Sequence, residues 1–495
     1  MRTAQLIAVA TWCLCAGCTV GPNYRPPRAA LPSHWISPLA GGEDTGAADL
    51  ATWWAHFDDA QLSVLMDKAV RSNLTLRIAE ERVREARAER DLAAGGAGPS
   101  IGASLAYSRN RYGKNGFPPL PPGTPLDFNL YNTGFDAAWE LDLFGGTRRA
   151  VEAANAEVGA AEYGRRDVLV TLLAEVARNY IGARGYQQRL AIARQNIAAQ
   201  RDIVGLVRSR FDHGLSSDLD LQQATALLTA TEALVPSLQT GFDQSVHHLG
   251  VLLGEASGGL DAHMATVQSI PSTPPTVPVG LPSDLLLRRP DIQRAEREVA
   301  ASSARIGEAR ADLFPKFSLT GDVGLDSLSA GNWIDYASRY WSAGPSLRWE
   351  IFEAGRIRAN IRIQSAREQQ ALNAYQQTLL VALEEVENAL VAYAREQTRR
   401  DALVRSERAS DEALKLSTQL YRSGLADFLK VLESERGLYA SQDALVQSDE
   451  AVSLDLVQLY KSLGGGWQPA SKPTPSSEIS PVARTSAHPS LRAQR

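Results

Sequence analysis

The chain has 495 residues, with 51 basic against 56 acidic side chains and a formal net charge of −5. That balance excludes a nucleic-acid binder resting on a basic face. Seven scattered histidines, with His247-His248 the one adjacent pair, form no metal-ligand or catalytic spacing, and no H-E-x-x-H, Walker-type or G-x-S-x-G pattern occurs. No enzyme activity, metal or small-molecule cofactor is expected.

At the N-terminus Arg2 precedes an apolar run from Leu6 to Ala16, which closes with Cys15-Ala16-Gly17-Cys18. A basic start, a short apolar stretch and small residues before the cut describe a secretory signal peptide over residues 1–17. A cysteine directly after Ala-Gly resembles the bacterial lipobox, with Cys15 where Leu is usual. It implies cleavage before Cys18 and a covalent lipid on its thiol. Cys13, Cys15 and Cys18 are the only cysteines, so a cleaved chain can form neither a disulfide nor a cysteine metal site. Thr19 rather than Asp follows Cys18, which in Gram-negative lipoproteins implies sorting to the outer membrane. No later run of about 20 apolar residues predicts a membrane-spanning helix.

Residues 18–51, rich in Pro, Gly and Ala, read as an extended arm, and 52–98 read mostly as helix. Beyond them the chain repeats itself. Trp139-Glu140-Leu141 returns 210 positions later as Trp349-Glu350-Ile351, Phe211-x-x-Gly214-Leu215 as Tyr421-x-x-Gly424-Leu425, and Leu249, Leu253 and Gly254 as Leu459, Leu463 and Gly464. Upstream, Leu76, Ala79, Glu80, Val83 and Pro99 match Ile292, Ala295, Glu296, Val299 and Pro315 at an offset of 216. The first copy therefore carries six extra residues, which fall in the Pro/Gly-rich stretch from Gly113 to Pro125 and read as a hairpin loop. An internal two-fold repeat results: residues 52–269 and 284–464, joined by a Pro/Ser/Thr-rich link over 270–283, with a disordered tail over 465–495.

Each copy carries a β-hairpin, 100–143 and 316–352, with period-two alternation. Ile101, Ala103, Leu105 and Tyr107 oppose Gly102, Ser104, Ala106 and Ser108; Phe317, Leu319 and Val323 oppose Ser318, Thr320 and Asp322. A soluble sandwich would bury the apolar face. Aromatic residues near the strand ends (Tyr107, Tyr131, Trp139, Trp333, Tyr340, Trp341, Trp349) favour a membrane barrel with interfacial girdles. After each hairpin comes a long Pro-free stretch with apolar residues every three or four positions, as in Leu190, Ala193, Ile197, Val204, Val207 and Phe211, or Leu372, Tyr375, Leu379, Ala382, Val386, Ala389 and Tyr393. This predicts long coiled-coil helical hairpins over 147–254 and 355–463, broken at Gly214 and Gly424. A helix from Thr147 to Phe211 would be nearly 100 Å long at about 1.5 Å per residue, far beyond a hydrocarbon thickness of about 30 Å.

Four strands cannot sit in lipid as an open sheet, because their edge groups would go unpaired. Two chains would give eight strands with a filled interior, whereas three give twelve and leave a channel. The expected fold is an α+β membrane protein: a trimeric 12-stranded β-barrel, four strands per chain, continued by an α-helical periplasmic tunnel.

The motifs Cys18-Thr-Val-Gly-Pro-Asn-Tyr24, Trp139-Glu-Leu-Asp-Leu-Phe-Gly145, Leu281-Pro-Ser-Asp-Leu-Leu-Leu-Arg-Arg-Pro-Asp291 and Leu459-Tyr-Lys-Ser-Leu-Gly-Gly-Gly-Trp467 resemble the outer-membrane factor (TolC-like) family, in its lipoprotein branch of the OprM/NodT type. The resemblance covers the mature chain to about Trp467. It implies a homotrimer in outer-membrane lipid, docked to a periplasmic adaptor protein and an inner-membrane RND-type pump, through which substrates leave without chemistry in this subunit. A duct for type I protein secretion is the alternative of the same class; a lipid-anchored coiled-coil scaffold without a pore is the alternative of another.

A channel left open at the helix tips would leak, so a gate is expected there. Leu429, Glu433 and Arg436 are spaced i, i+4, i+7 and share a helix face. Three such faces converging on an axis give an apolar, an acidic and a basic ring. The same offset in the first copy lands on Leu219, Gln223 and Ala226, without charge. The resemblance implies likewise that the family's constricting acidic residue and its basic neighbour fall on Glu433 and Arg436, with Glu in place of the more usual Asp. It also implies that Tyr421 and Asp220 latch the entrance shut, and that the tips, with Gly214, Leu215 and Ser216 and with Gly424, Leu425 and Ala426, contact the adaptor. Simpler readings stand beside these: a solvated Glu433–Arg436 ion pair worth about a few tenths of a kcal/mol, Tyr421 as the apolar counterpart of Phe211, and glycines as ordinary helix C-caps.

Overall fold

The computed structural model describes residues 19–29, 31–46, 50–115, 121–256, 258–260, 264–274 and 276–468. The signal peptide, Cys18, part of the first hairpin loop (116–120) and residues 469–495 lie outside the described residues.

The arm carries a two-residue strand, β1 (Glu43–Asp44), and leads to a 3-10 turn at Trp53–Phe57. The helical stretch expected over 52–98 is divided. Helix α1 (Ala60–Ser72) ends at Asn73, whose extended backbone breaks the helix and whose side chain caps α2 (Leu74–Gly95) by accepting from the Leu76 amide. Strands β2 (Ser100–Arg111) and β3 (Asp127–Leu141) follow, then α3 (Gly146–Asp212) and α4 (Asp218–Leu252). The link contains β4 (Val277–Pro278), parallel to β1, so the arm is stitched to the junction between the copies. The second copy runs through the short α5 (Leu285–Arg288), α6 (Pro290–Ala311), β5 (Lys316–Ser327), β6 (Arg339–Arg348), α7 (Arg356–Arg422) and α8 (Phe428–Ser462). Pro290 opens α6 at its first turn, where its missing N–H costs nothing.

The α3 and α7 helices are each 67 residues long, and α4 and α8 each 35. At about 1.5 Å per residue the long pair reaches about 100 Å. Their main core sits at mid-length, where Leu173, Ala177, Tyr180 and Ile181 of α3 cluster with Ala382, Val386 and Tyr393 of α7, Leu456 and Tyr460 of α8, and Trp53, Phe57, Leu62 and Met66. The alanines let the helices approach closely, and the aromatic rings of Trp53 and Tyr460 stack at 5.3 Å. The return helices end on Gly254 (φ +68°) and Gly464 (φ +74°), each seated on the backbone at the end of an earlier helix: an added Cβ would lie 2.6 Å from the Ser72 or Arg288 carbonyl oxygen.

The tail does not begin at 465. The Gly466 amide donates to the Leu50 carbonyl at 2.8 Å, and the Trp467 indole to that of Arg288 at 2.7 Å. Arg166 stacks between Tyr163 and Trp467, 4.7 Å from each ring centre. Composition marks the Pro/Ser-rich segment only after these contacts.

The four long strands form one antiparallel sheet in the order β2-β3-β5-β6. One face carries Ile101, Leu105, Phe135, Val323 and Trp341, all exposed, Trp341 by 78%. Among the described residues no helix or second sheet covers it, whereas a soluble sandwich would bury this face.

Replacing Gly254 or Gly464 with Ala should cost about 1–3 kcal/mol, from the left-handed backbone and the backbone clash together. Thermal unfolding followed by far-UV circular dichroism in detergent checks this, and an unchanged midpoint contradicts the packing described.

Candidate functional site: the inner face and the helical tips

At the tips each long helix turns back over a few residues. Ser217 caps α4 in a reciprocal box with Asp220, and Asp427 caps α8 through the Lys430 amide at 3.2 Å. The tip residues Leu215 and Leu425 are 67% and 77% exposed, and neither packs into a core. The two hairpins are joined just behind the tips by Val207, Leu221, Ala224, Tyr421, Phe428, Val431 and Leu432.

Tyr421 is buried in this cluster, 5.5 Å from the Phe428 ring. The Arg210 guanidinium lies 4.8 Å over its ring, and Arg210 Nη1 donates to the Tyr421 carbonyl at 3.4 Å. Among the described residues the buried Tyr421 hydroxyl has no hydrogen-bond partner. Asp220 does not meet it. Its carboxylate accepts from the Ser216 hydroxyl at 2.8 Å and the Ser217 amide at 3.0 Å. Partial burial opposes ionisation, yet these donors hold the Asp220 carboxyl below its usual range. Within one chain, then, the two latch residues are not brought together, and Arg210, which spacing could not single out, is the partner of Tyr421.

The structure brings Leu429, Glu433 and Arg436 onto one exposed face of α8, opposite the buried Val431, Leu432 and Glu435. Glu433 pairs with Lys430 at 3.1 Å, one turn earlier, rather than with Arg436. This leaves the Arg436 guanidinium on the open face.

The inner face of the sheet holds two aspartates in one register row: Asp136 is the direct partner of Asp322, flanked by Gly102 and Ser342. They lean apart. Asp136 Oδ1 would lie 2.7 Å from a Cβ at Gly102, and Asp322 accepts a hydrogen bond from the Ser342 hydroxyl. Like charges directly opposite each other destabilise a sheet unless water screens them, and Asp136 is exposed to it. Tyr340 lies across Gly134 and Gly324 on the same face, and its hydroxyl accepts from Asn132 Nδ2 at 3.3 Å. The two aspartates are not repeat counterparts. Only strand register pairs them, which is why spacing gave no signal.

Of the girdle residues, Tyr107 and Tyr131 are in ring contact at 4.9 Å, and Trp341 is the third residue of β6. Trp139 and Trp349 take equivalent places at the other end. Their indoles donate to the Ala97 and Leu313 carbonyls at 2.8 and 3.1 Å, pinning each helix–strand junction. Among the described residues no group of three or more His, Cys, Asp or Glu could hold a metal, and no helix is long and apolar enough to cross a membrane.

The sheet thus has one exposed apolar side and one polar side, and it is continued by paired helices of 67 and 35 residues. The sequence profile of the outer membrane efflux proteins matches residues 65–255 and 281–465. The chain belongs to the outer membrane efflux protein family. Nodulation protein T of Rhizobium leguminosarum bv. trifolii is 32% identical to it over 464 residues, covering 93% of this chain and 97% of the relative. Outer membrane protein OprJ of Pseudomonas aeruginosa is 32% identical, covering 91% and 93%. The solved structure of the outer-membrane channel OprN superposes with a TM-score of 0.84 at 36% identity, covering 91% of this chain and all of that one. The family match falls on both copies and leaves out the arm and most of the link.

Buried carboxyls on α8 give the chain a further property. Burial alone pushes the Glu435 carboxyl up to about 7, and burial likewise raises Glu450 to about 7 and Asp455 to about 6 on the same helix. A carboxyl whose folded pKa exceeds its unfolded value stabilises fully below the unfolded pKa, and that stability is lost as pH rises through the folded one. For Glu435, only 5% exposed, the loss is on the order of 3 kcal/mol between about pH 4.5 and 7. Denaturant unfolding should show the helical region weakening from pH 5 to pH 8, and Glu435→Gln should flatten part of that slope. A slope unaltered by the substitution contradicts the assignment.

Proposed function

We propose that three copies of this chain close edge to edge into a 12-stranded barrel continued by a helical tunnel, and that this homotrimer is the outer-membrane channel of a tripartite efflux pump. It conducts passively what an inner-membrane RND-type transporter expels through a periplasmic adaptor. The observation that carries the reading is the sheet itself: its apolar side is exposed, its other side bears Asp136 and Asp322 side by side, and among the described residues its two outer edges pair with no strand. In lipid, unpaired edge groups cost several kcal/mol each, and closure is the only geometry that removes them. A pore-free scaffold leaves both the exposed apolar side and the paired aspartates without purpose.

In this reading Cys18 carries the lipid that anchors the arm in the outer membrane, and the helices reach into the periplasm. The tips, with Gly214, Leu215 and Ser216 and with Gly424, Leu425 and Ala426, dock the adaptor. Leu429, Glu433 and Arg436 form the gate, since their shared face is left uncovered by the chain's own helices. Tyr421 and Asp220 act as the latch across neighbouring hairpins. The unpartnered Tyr421 hydroxyl supports a role for it beyond packing.

The double substitution Glu433→Ala with Arg436→Ala should raise single-channel conductance in planar bilayers several-fold, because the two charged rings are removed together. Conductance equal to that of the unmodified protein at every salt concentration would sink the gate.

A further inference from the structure

The helices next to the sheet form a row with two open ends, as the strands do. In this row α3 packs against both α2 and α6, and α7 packs against α6. Named contacts mark the side on which α3 meets α6. Glu157 of α3 forms an ion pair with Arg305 of α6, and Asp167 lies 3.6 Å from Arg294. The Arg297 side chain lies against Gly159, where an added Cβ would sit 3.2 Å from its Cδ. The repeat carries these two sides onto α7 and α2, and there they are open. Ala153 on α3 and Ala301 on α6 are buried, whereas their counterparts Ile363 on α7 and Glu85 on α2 are exposed.

Charges on these sides change sign between the copies, and they do so on both partners together. Glu152 and Glu157 of α3 return 210 positions later as Arg362 and Arg367 of α7, while Arg297 and Arg305 of α6 stand 216 positions after Glu81 and Glu89 of α2. The counterpart of the Glu157–Arg305 pair is therefore Arg367 with Glu89, the signs exchanged. Both of these side chains are exposed, and among the described residues neither has an ion-pair partner. A reversal on both partners keeps matched junctions attractive and makes crossed ones repulsive. Two first copies side by side would set Glu157 against Glu89, and two second copies would set Arg367 against Arg305.

We propose that α2 of one chain packs on α7 of a second copy as α6 packs on α3 within the chain, and that Glu89 and Arg367 pair across this junction and make first and second copies alternate around the ring. The proposal rests on the closure of three chains put forward above, and it adds the helical surface by which neighbouring chains recognise each other. A single exposed ion pair is weak. This one recurs at every junction between chains, and each wrong arrangement places like charges in its stead.

The test uses the full-length protein in mild detergent, incubated at rising temperatures, with chains per particle counted by native mass spectrometry. Glu89→Arg alone and Arg367→Glu alone each place like charges across the junction. Each should lower by several degrees the temperature at which the three-chain species is lost. The two substitutions together restore opposite charges in exchanged order and should recover most of that loss. Salt at about 1 M, where the screening length is about 3 Å, should shrink the deficit of the single variants. Far-UV circular dichroism should show the helix content of the unmodified protein in all three variants, since neither side chain has a partner within its chain. Single variants as heat-resistant as the unmodified trimer overturn the proposal, and so does a double variant that loses as much as the two single ones combined. An unmodified protein with no three-chain species would overturn the ring itself, and the junction with it.

Discussion

Among the described residues, no strand of the chain pairs with the outer edge of β2 or of β6. Most other features of the molecule answer to that constraint. An exposed edge in water invites aggregation, and in lipid it is excluded outright by the cost of unpaired N–H and C=O groups. Four strands therefore commit the chain to neighbours. In the proposed barrel, the alternation that puts Phe135 and Trp341 on one side and Asp136 and Asp322 on the other divides lipid from water across a single sheet. The glycines at 134 and 324, covered by Tyr340, let strands from the two copies meet where an ordinary side chain would not fit.

The helices solve a different problem. A helix of 67 residues cannot be held by propensity alone, so stability comes from packing along its length. Its largest share is the mid-length core around Trp53, Tyr180, Tyr393 and Tyr460, and a small cluster around Tyr421 and Phe428 sits behind the tips. Between them a smaller cluster of Leu190, Ala193 and Leu238 packs α3 against α4, beside polar contacts such as Arg189 with Asp443 at 2.7 Å and Asn196 with Gln442 at 2.9 Å. The arm adds a strap across the second copy: Glu387 accepts from the Ile36 and Ser37 amides at 2.7 and 2.9 Å, and the Trp35 indole donates to the Gly280 carbonyl. In the proposed trimer, helices packed most heavily at mid-length and more lightly behind their tips are suited to opening at the tips.

Much of this was legible in the sequence because it rests on periodicity and spacing. The 210-residue offset reappears in the bounds of α3 and α7 and of α4 and α8, and alternation assigned the correct side to Ile101, Phe135, Leu319 and Trp341. What stayed hidden depends on through-space partners. Register alone sets Asp136 beside Asp322. The pairing of Arg210 with Tyr421, and of Lys430 rather than Arg436 with Glu433, follows from rotamers and helix crossing, which no single-sequence pattern encodes. The break at Asn73 was missed because apolar periodicity continues across it, and the packed residues before the tail were hidden by the glycine- and proline-rich composition around them.

Closure through neighbouring chains is the central claim, and a covalent link across the open edges tests it most directly. The chain's own cysteines are confined to positions 13, 15 and 18, so introduced thiols can be read cleanly. With Ala103→Cys on β2 and Ala343→Cys on β6, a short bifunctional thiol reagent applied to the protein in its membrane should produce a three-chain species as the largest product on a denaturing gel. Chains that remain single, or a ladder that continues past three, would contradict a closed ring of three.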